Sequence, residues 1–471
     1  MKKEMNINGI FVLMVILTTF FCSCAKKTDN TAPPTGTTTE FTVDLSKIVS
    51  TSFVGFGTQY NANVYAGISA VDGISAANWG QLEAKVKSLK SQYVRIFFDS
   101  KAWPSDSKYT TATADYLASF VKTVKLAQDA GATTINITFW HTATAAQMPA
   151  FAGVLYDLIV NNGLTAVNQV TMQNEVNSTT ITMDDYKACY VSLDQSLTGL
   201  GLRNLIKFCG GDLVETNQQT WFSYMSGNMS SLLAGYSTHI YWDDNDASKP
   251  LTRLSGVTTI VNALGAGKKP IFVTEYGVRG SDKTVNDPGY LTGTTNPISS
   301  TLTSGLQNAL FQINGLNQGF SGFIRWDCYK AKYDNGTQYF SCIGSGTDGY
   351  PLYPLYYMTW LFTHTSFPGW SVVQTTQGTN VNKAVAVMKE YSGQNMTLYG
   401  ANKTNGSIPF VIGGLAANKI FHLVVWNNDQ LGKISKLADV STDATGVLKF
   451  TLQAMSVVAV TTLDVDITNI P

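Results

Sequence analysis

Short apolar segments alternate with longer amphipathic segments between Thr51 and His364. The longer segments, such as 78–90 and 114–130, carry apolar residues every three or four positions, and this spacing predicts helices. The short segments are rich in Val, Ile, Phe and Thr, a composition typical of buried strands. Eight predicted strands occur, at 53–57, 93–97, 134–139, 170–172, 206–209, 235–241, 270–274 and 322–326.

Eight strand–helix units of this length predict an α/β fold, a (β/α)8 TIM barrel, with expected bounds 41–365. An open doubly wound sheet is disfavoured, because no glycine-rich phosphate-binding turn follows the first predicted strand. Catalytic groups in such a barrel are expected at the carboxyl ends of the strands, where the loops surround the open mouth.

Helical periodicity is nearly absent from 366 to 471, and turn dipeptides separate short apolar segments. This pattern predicts a C-terminal antiparallel β-sandwich domain. Segment 41–50, ahead of the barrel, is a candidate for an additional strand of that sandwich. The predicted C-terminal strands are 384–388, 396–399, 408–412, 420–426 and 455–462.

The N-terminus has the pattern of an export signal. Lysines at positions 2 and 3 precede an apolar run, 10–21, that is too short to span a bilayer and ends at Cys22-Ser23-Cys24. It resembles a bacterial lipoprotein signal over 1–23, with Cys24 as the lipidation site and 24–40 as a flexible tether. The resemblance implies a lipid-anchored protein of the bacterial cell envelope, at the outer membrane or cell surface. An ordinary secretory signal is the alternative.

The chain has 32 basic residues (Lys and Arg) and 32 acidic residues (Asp and Glu). It therefore lacks the net charge typical of proteins that bind nucleic acids or membrane surfaces. We therefore expect no nucleic-acid partner, membrane attachment through the lipid alone, and a monomer. Four histidines and no Cys-x-x-Cys pair argue against a structural zinc site, and no metal or cofactor is expected. Cys328 and Cys342 are close enough in sequence for a disulfide, whereas Cys189 and Cys209 are equally compatible with buried thiols.

Two predicted strands deliver a glutamate to the same mouth. The fourth runs into Asn174-Glu175 and the seventh into Thr274-Glu275. Cleavage of a glycosidic bond with retention needs one carboxyl as acid and another as nucleophile, roughly 5–5.5 Å apart. Either glutamate alone is more simply a salt-bridged or solvated acid, but the pair favours glycoside hydrolysis.

This arrangement resembles glycoside hydrolase clan A, which includes families 5, 30 and 39, and is similar to family 158. The resemblance implies that Glu175 is the acid/base, that Glu275 is the nucleophile and that Asn174 binds the sugar 2-hydroxyl. It covers roughly Phe53 to Trp326.

Five further strand-end residues match the same resemblance. It implies that Arg95 keeps the nucleophile ionised, that His141 and His239 line the catalytic subsite, that Tyr241 donates a hydrogen bond to the nucleophile, and that Trp326 is a sugar platform. A core ion pair for Arg95, and core packing for His141 and Trp326, are the alternatives.

Aromatic residues near the strand ends are either sugar platforms or core; they are Trp103, Trp140, Trp242, Tyr329 and Tyr333. A row of platforms suits an endo-acting enzyme on a β-linked polysaccharide. The resemblance favours an endo-β-glucanase, with β-1,3-glucan preferred as substrate. An exo-acting β-glycosidase and a non-catalytic surface glycan-binding lipoprotein remain open.

Overall fold

The computed structural model describes residues 39–99, 112–280, 297–333, 336–337, 340–377 and 382–471. The predicted signal, Cys24, most of the tether and Trp103 lie outside these residues. Both the barrel and the C-terminal sheet belong to one compact unit, Pro34–Pro471. Within the described ranges, no helix has the length and apolar character needed to cross a membrane.

The predicted (β/α)8 barrel is confirmed. Eight parallel strands follow one another around a closed barrel, and the last pairs with the first where Phe323 lies opposite Phe56. The barrel strands, in order, are β2 (Phe56–Tyr60), β3 (Tyr93–Phe98), β4 (Thr134–Phe139), β5 (Val167–Thr171), β6 (Lys207–Leu213), β7 (Leu233–Asp243), β8 (Ile271–Arg279) and β9 (Phe320–Arg325).

Eight α-helices are described: seven lie between consecutive barrel strands, and the eighth follows the last barrel strand. The first of them buries Leu82, Val86 and Leu89, the apolar stripe from which it was predicted. The helices are α1 (Trp79–Leu89), α2 (Ala112–Asp129), α3 (Met148–Tyr156), α4 (Met183–Gly199), α5 (Gln218–Asn228), α6 (Lys249–Ala263), α7 (Leu302–Asn317) and α8 (Pro354–Thr365).

Two short strands, β10 (Lys332–Tyr333) and β11 (Gly336–Thr337), pair with each other. The other strands form one nine-stranded sheet, which is antiparallel except where β1 pairs with β15. β1 therefore joins the C-terminal sheet, as its position ahead of the barrel suggested, and its other neighbour is β12. The strands are β1 (Phe41–Ser50), β12 (Ser371–Thr376), β13 (Lys383–Lys389), β14 (Met396–Asn402), β15 (Ile408–Gly413), β16 (Ile420–Trp426), β17 (Ile434–Ser441), β18 (Leu448–Leu452) and β19 (Val457–Thr461).

This sheet curves until its edge strands β17 and β18 meet, and it encloses its own apolar cluster in the manner of a sandwich. Phe410 and Phe450 stack inside it with ring centroids 5.0 Å apart. The opposite face packs on the barrel helices α7 and α8. A Cβ on Gly305 of α7 would lie 2.5 Å from the Trp426 ring, so only glycine allows this close packing.

Candidate active site

The two predicted glutamates lie at the same end of the barrel. Glu275 is inside β8 and only 5% exposed, whereas the Glu175 side chain, beyond the end of β5, is 33% exposed. Glu175 adopts a left-handed backbone conformation with φ 46°, at the start of a short 3-10 turn. One carboxylate oxygen of each glutamate lies within 4.8 Å of the other. The pair thus combines a buried carboxylate with an accessible one.

Arg95 on β3 is completely buried and binds both sides of the site. Its Nη1 donates to Oε1 of Glu275, and its Nη2 donates to Oδ1 of Asn174 at 2.7 Å and to Oδ2 of Asp212. The guanidinium also lies 4.4 Å from the Phe97 ring centroid. Arg95 is therefore a buried cation held between two carboxylates, and one of them is Glu275.

Tyr241 on β7 donates its hydroxyl proton to Oε2 of Glu275 at 2.9 Å, the contact that the clan A resemblance implies. The other oxygen of Glu275 is bound by Arg95, so both carboxylate oxygens accept a hydrogen bond from a fixed donor. Such donors stabilise the ionised carboxylate and restrict its rotation.

His239 lies between the two glutamates. It is opposite Glu275 in the β7–β8 register, and its Nδ1 is 3.2 Å from Oε1 of Glu175 and 3.5 Å from Oε2 of Glu275. Burial disfavours the charged imidazole, but the carboxylates of Glu275 and Asp212 outweigh burial and raise the pKa of His239 to about 9. At neutral pH His239 is therefore an imidazolium that donates to Glu175.

The same contact sets the charge of Glu175. Burial opposes ionisation of its carboxyl group, yet the hydrogen bond and positive charge of His239 outweigh burial and lower the pKa of Glu175. Glu175 is thus ionised at neutral pH in this state, although an acid catalyst needs a proton. The proton that the site holds is on the neighbouring imidazole.

Glu175, His239 and Glu275 each offer one potential ligand atom for a metal ion. Ligation requires a neutral imidazole, so a cation would have to displace the His239 proton and compete with Arg95 for Glu275. Arg95 already pairs with Glu275 and His239 with Glu175. The cluster fits proton transfer better than metal binding, and the expectation that no metal or cofactor takes part stays a prediction.

Aromatic rings form one wall of the mouth. Trp326, which follows β9, stacks on Tyr333 with centroids 5.0 Å apart, and Phe97 lies 5.8 Å from Trp326 and 4.6 Å from Trp140. A small cleft adjoins this wall and is lined in part by Phe97, Trp140 and Tyr333. Trp140 is the partly exposed ring of this group, whereas Phe97, Trp326 and Tyr333 are only 5–6% exposed.

The structure pairs His141 with Asp99, whose Oδ1 lies 2.7 Å from Nδ1 of His141. Asp99 also lines the cleft beside the aromatic wall. No described contact joins His141 to either glutamate. His141 therefore lies at the rim of the mouth, outside the described contacts of the glutamate pair.

Two of the proposed platforms are core residues. Trp242 is fully buried against Phe311, and Tyr329 is 1% exposed with its hydroxyl bonded to the carbonyl of Asn61. The possible disulfide is also absent, because Cys328 and Cys342 are both free thiols in the described structure. They lie on adjacent segments whose backbones are hydrogen-bonded.

Sequence reasoning missed Asp212. The predicted fifth strand ended at Cys209, so Asp212 fell outside the strand ends that were considered. In the structure β6 continues to Leu213, and the Asp212 carboxylate is buried against Arg95. The run Gly210-Gly211-Asp212 after an apolar segment was the available signal, since paired glycines in a strand mark a bulge.

The fold is that of solved glycoside hydrolases, at low sequence identity. The catalytic domain of a family 30 xylanase from Talaromyces cellulolyticus is 16% identical and aligns with 90% of this chain and 100% of its own, with a TM-score of 0.66. A family 30 endoxylanase from Clostridium papyrosolvens is 12% identical over 90% and 99%, at 0.63. An endo-β-1,6-glucanase is 13% identical over 90% and 94%, at 0.61.

The likeness to clan A that the strand-end residues indicated is confirmed at the level of the fold. The sequence matches no protein-family model, and no curated protein matches it significantly.

Proposed function

We propose that this protein is a retaining glycoside hydrolase acting on a β-linked polysaccharide, with Glu275 as nucleophile and Glu175 as acid/base. The observation that carries the proposal is the approach of the two carboxylates to within 4.8 Å. Inverting enzymes hold their carboxyl groups roughly 6.5–9.5 Å apart to admit a water, and retaining enzymes hold them roughly 5–5.5 Å apart.

In the first step Oε1 or Oε2 of Glu275 attacks the anomeric carbon, and the glycosidic oxygen leaves with a proton from Glu175. Arg95 and Tyr241 orient the nucleophile before attack, which reduces the entropy lost in the transition state. The Asn174 amide oxygen is engaged by Arg95, so its NH2 group is the part that would donate to the sugar 2-hydroxyl.

The proton needed by Glu175 is supplied from His239. Two states of the His239–Glu175 pair hold the same number of protons. In one, His239 is charged and Glu175 is ionised; in the other, His239 is neutral and Glu175 is protonated. A substrate that excludes water from Glu175 raises the carboxyl pKa and favours transfer along the 3.2 Å hydrogen bond. The pair therefore titrates as a unit, and activity is lost when that single proton is lost.

In the second step Glu175, now ionised, takes a proton from water while the water oxygen attacks the anomeric carbon. The ester bond to Glu275 breaks and its carboxylate is restored against Arg95 and Tyr241. Two inversions at one carbon give net retention. The proton returned to Glu175 can pass back to His239, which completes the cycle.

We further propose an endo-β-glucanase, with β-1,3-glucan as the preferred substrate. The support for this finer proposal is the set of aromatic residues near the strand ends, of which Trp140 is partly exposed and lines the small cleft. Known proteins of this fold include xylanases and an endo-β-1,6-glucanase by their descriptions, so both glycans belong in any substrate test.

A reducing-sugar assay on β-1,3-, β-1,6- and β-1,4-glucans, xylan and arabinoxylan tests the proposal, with wild type compared with Glu275→Gln. We expect product from wild type and a loss of several orders of magnitude in the variant. Equal product from both proteins would show that Glu275 is not the nucleophile, and binding without hydrolysis by wild type would favour a glycan-binding protein instead.

We also propose that Cys24 carries a lipid that anchors the enzyme to the cell envelope. The proposal is supported by the apolar run and the Ser23-Cys24 pair. Fractionation of cells that express wild type or Cys24→Ala checks it: we expect membrane-associated wild type and a released variant. Wild type in the soluble fraction would contradict the anchor.

A further inference from the structure

Asp212 is a second buried carboxylate beneath the two glutamates. It is fully buried, its Oδ2 accepts from Nη2 of Arg95, and the same Oδ2 lies 3.7 Å from Nε2 of His239. These are the two cations that contact Glu275. A charge at this position acts on both of them from the side opposite Glu275.

Two strand irregularities place this carboxylate. The β6–β7 register shifts between Gly210 and Leu213, and the β7–β8 register shifts next to His239. Asp212 has φ 54°, and a Cβ on Gly211 would lie 2.2 Å from the Ser237 carbonyl oxygen, so the bulge requires glycine beside Asp212.

The other oxygen of Asp212 is fixed by hydroxyl donors. Oδ1 accepts from Oγ of Ser237 at 2.7 Å and from Oγ1 of Thr274 at 2.5 Å. Thr274 immediately precedes Glu275 in the chain. Burial opposes the charge on Asp212, but Arg95 and His239 outweigh burial and hold its pKa well below the usual range. The carboxylate is therefore ionised throughout the working pH range.

We propose that Asp212 is a positioning residue for catalysis: its carboxylate orients Arg95 and keeps His239 protonated, so that both cations are held against Glu275. This inference deepens the proposed function and rests on it for its catalytic meaning. Asp212 does not touch the reacting atoms, because Arg95 and His239 lie between it and the two glutamates.

The charge of the His239 ring depends on the charged and titratable groups that surround it. Arg253 on α6 donates to the His239 backbone carbonyl at 3.5 Å and is paired with Glu215. The charged or titratable groups around His239 are Glu175, Asp212, Tyr241, Glu275, Arg95, Arg253 and Arg279. Among these, only three carboxylates contact the ring itself, and Asp212 is the one on the Nε2 side.

The test is the titration of the His239 ring in protein labelled with 15N-histidine. The chain has four histidines, so few ring signals occur, and His239→Gln assigns the one of interest. We expect wild type to titrate near pH 9 and Asp212→Asn to titrate at least one pH unit lower, a tenfold loss in proton affinity. Asp439→Asn, which removes a carboxylate on strand β17 of the C-terminal sheet, is the matched control and should leave the value unchanged.

A second variant covers the case in which Asp212→Asn does not fold. In Glu175→Gln combined with Glu275→Gln, Asp212 is the remaining carboxylate at the ring, and His239 should still titrate above its ordinary value of about 6.5. Titration at or below that value, or an unchanged value in Asp212→Asn, would overturn the proposal. Neither readout needs activity, so failure of the glycosidase assignment is distinguished from failure of this inference.

Asp212→Asn also has a kinetic signature. The basic limb of the kcat/KM profile should move to lower pH together with the ring titration, whereas a variant that only loosens the fold would lower kcat/KM without moving the limb. A limb that stays in place while the ring titration moves would contradict the link between His239 and catalysis.

Discussion

Nδ1 of His239 lies 3.2 Å from Oε1 of Glu175, although the two residues are 64 positions apart in the chain. The contact gives the proposed acid/base an ionised carboxyl group and stores the proton on the imidazole. A retaining mechanism needs one mobile proton and one ionised nucleophile. The site holds both, but the proton is on His239 until a bound substrate favours its transfer to Glu175.

The hydrogen bond from Tyr241 to Glu275 should contribute directly to catalysis. Tyr241→Phe removes the donor to Oε2 and leaves the ring, so we expect kcat/KM to fall about 10- to 100-fold, or about 1.5–3 kcal/mol for a bond to a charged group. Steady-state kinetics on the best substrate measures it. Tyr236→Phe, which removes a hydroxyl bonded to the carbonyl of Gly267, is the control and should leave kcat/KM almost unchanged.

Arg95 should not tolerate replacement by lysine. A single ammonium cannot reach Glu275, Asn174 and Asp212 together, so Arg95→Lys should lower kcat/KM at least about 100-fold. Arg203→Lys, which alters an ion pair with Asp194 outside the mouth, is the matched control. Wild-type activity in Arg95→Lys would show that the fork of hydrogen bonds is dispensable.

The stability of the protein should depend on pH through His239. Its pKa is raised from 6.5 to about 9 in the folded state, so the folded protein binds this proton more tightly than the unfolded chain does. The contribution, about 3 kcal/mol, is complete below pH 6.5 and is lost as pH rises through 9.

Urea unfolding at pH 6, 7.5 and 9 measures the effect in wild type and His239→Gln. The variant should lose less stability between pH 6.5 and 9 than wild type does. His422→Gln, on the C-terminal sheet, is the control and should behave as wild type. If the free energy of unfolding changed with pH equally in wild type and His239→Gln, His239 would be neutral in the folded protein.

Asp327 should also make the stability of the protein fall as pH rises, but by destabilising the folded state when its carboxyl group ionises. Burial raises the pKa of Asp327 to about 8, with the positive charge of Arg325 only partly opposing it. The folded state therefore binds more protons than the unfolded state between about pH 4 and pH 8, and stability falls as pH rises through that window.

Asp327→Asn removes this titration, so we expect the variant to gain stability relative to wild type by more than about 1 kcal/mol as pH rises from 5 to 9. Thermal or urea unfolding over that range measures it. Asp439→Asn, on the exposed strand β17, is the control. A difference between Asp327→Asn and wild type that does not change with pH would contradict the buried, protonated carboxyl.

The barrel was predictable because short segments rich in Val, Ile, Phe and Thr alternate with amphipathic helical segments, and the ends of parallel barrel strands meet at one mouth. The strands β12, β17 and β18 were missed. β17 is an edge strand whose side chains are largely exposed, so it lacks the apolar alternation on which strand prediction depends.

The sequence also led to Arg95, His239, Tyr241 and both glutamates, but it could not supply their contacts. Asp212 was missed because its strand bulges, and a bulge depends on pairing with a neighbouring strand rather than on local sequence. The bridging position of His239 depends on a second register shift in β8. These two strand irregularities determine which groups contact His239 and hence where the proton lies. They cannot be predicted from the residue pattern along the chain.

The account is tested most directly by the anomeric configuration of the first-formed product. Proton NMR of wild type acting on the polysaccharide that it cleaves best records the anomeric signals before mutarotation. With Glu275 as nucleophile, the β-anomer should appear first and the α-anomer should grow in only by mutarotation. An α-anomer that appears first would mean inversion and would contradict the assignment of Glu275 as the attacking group.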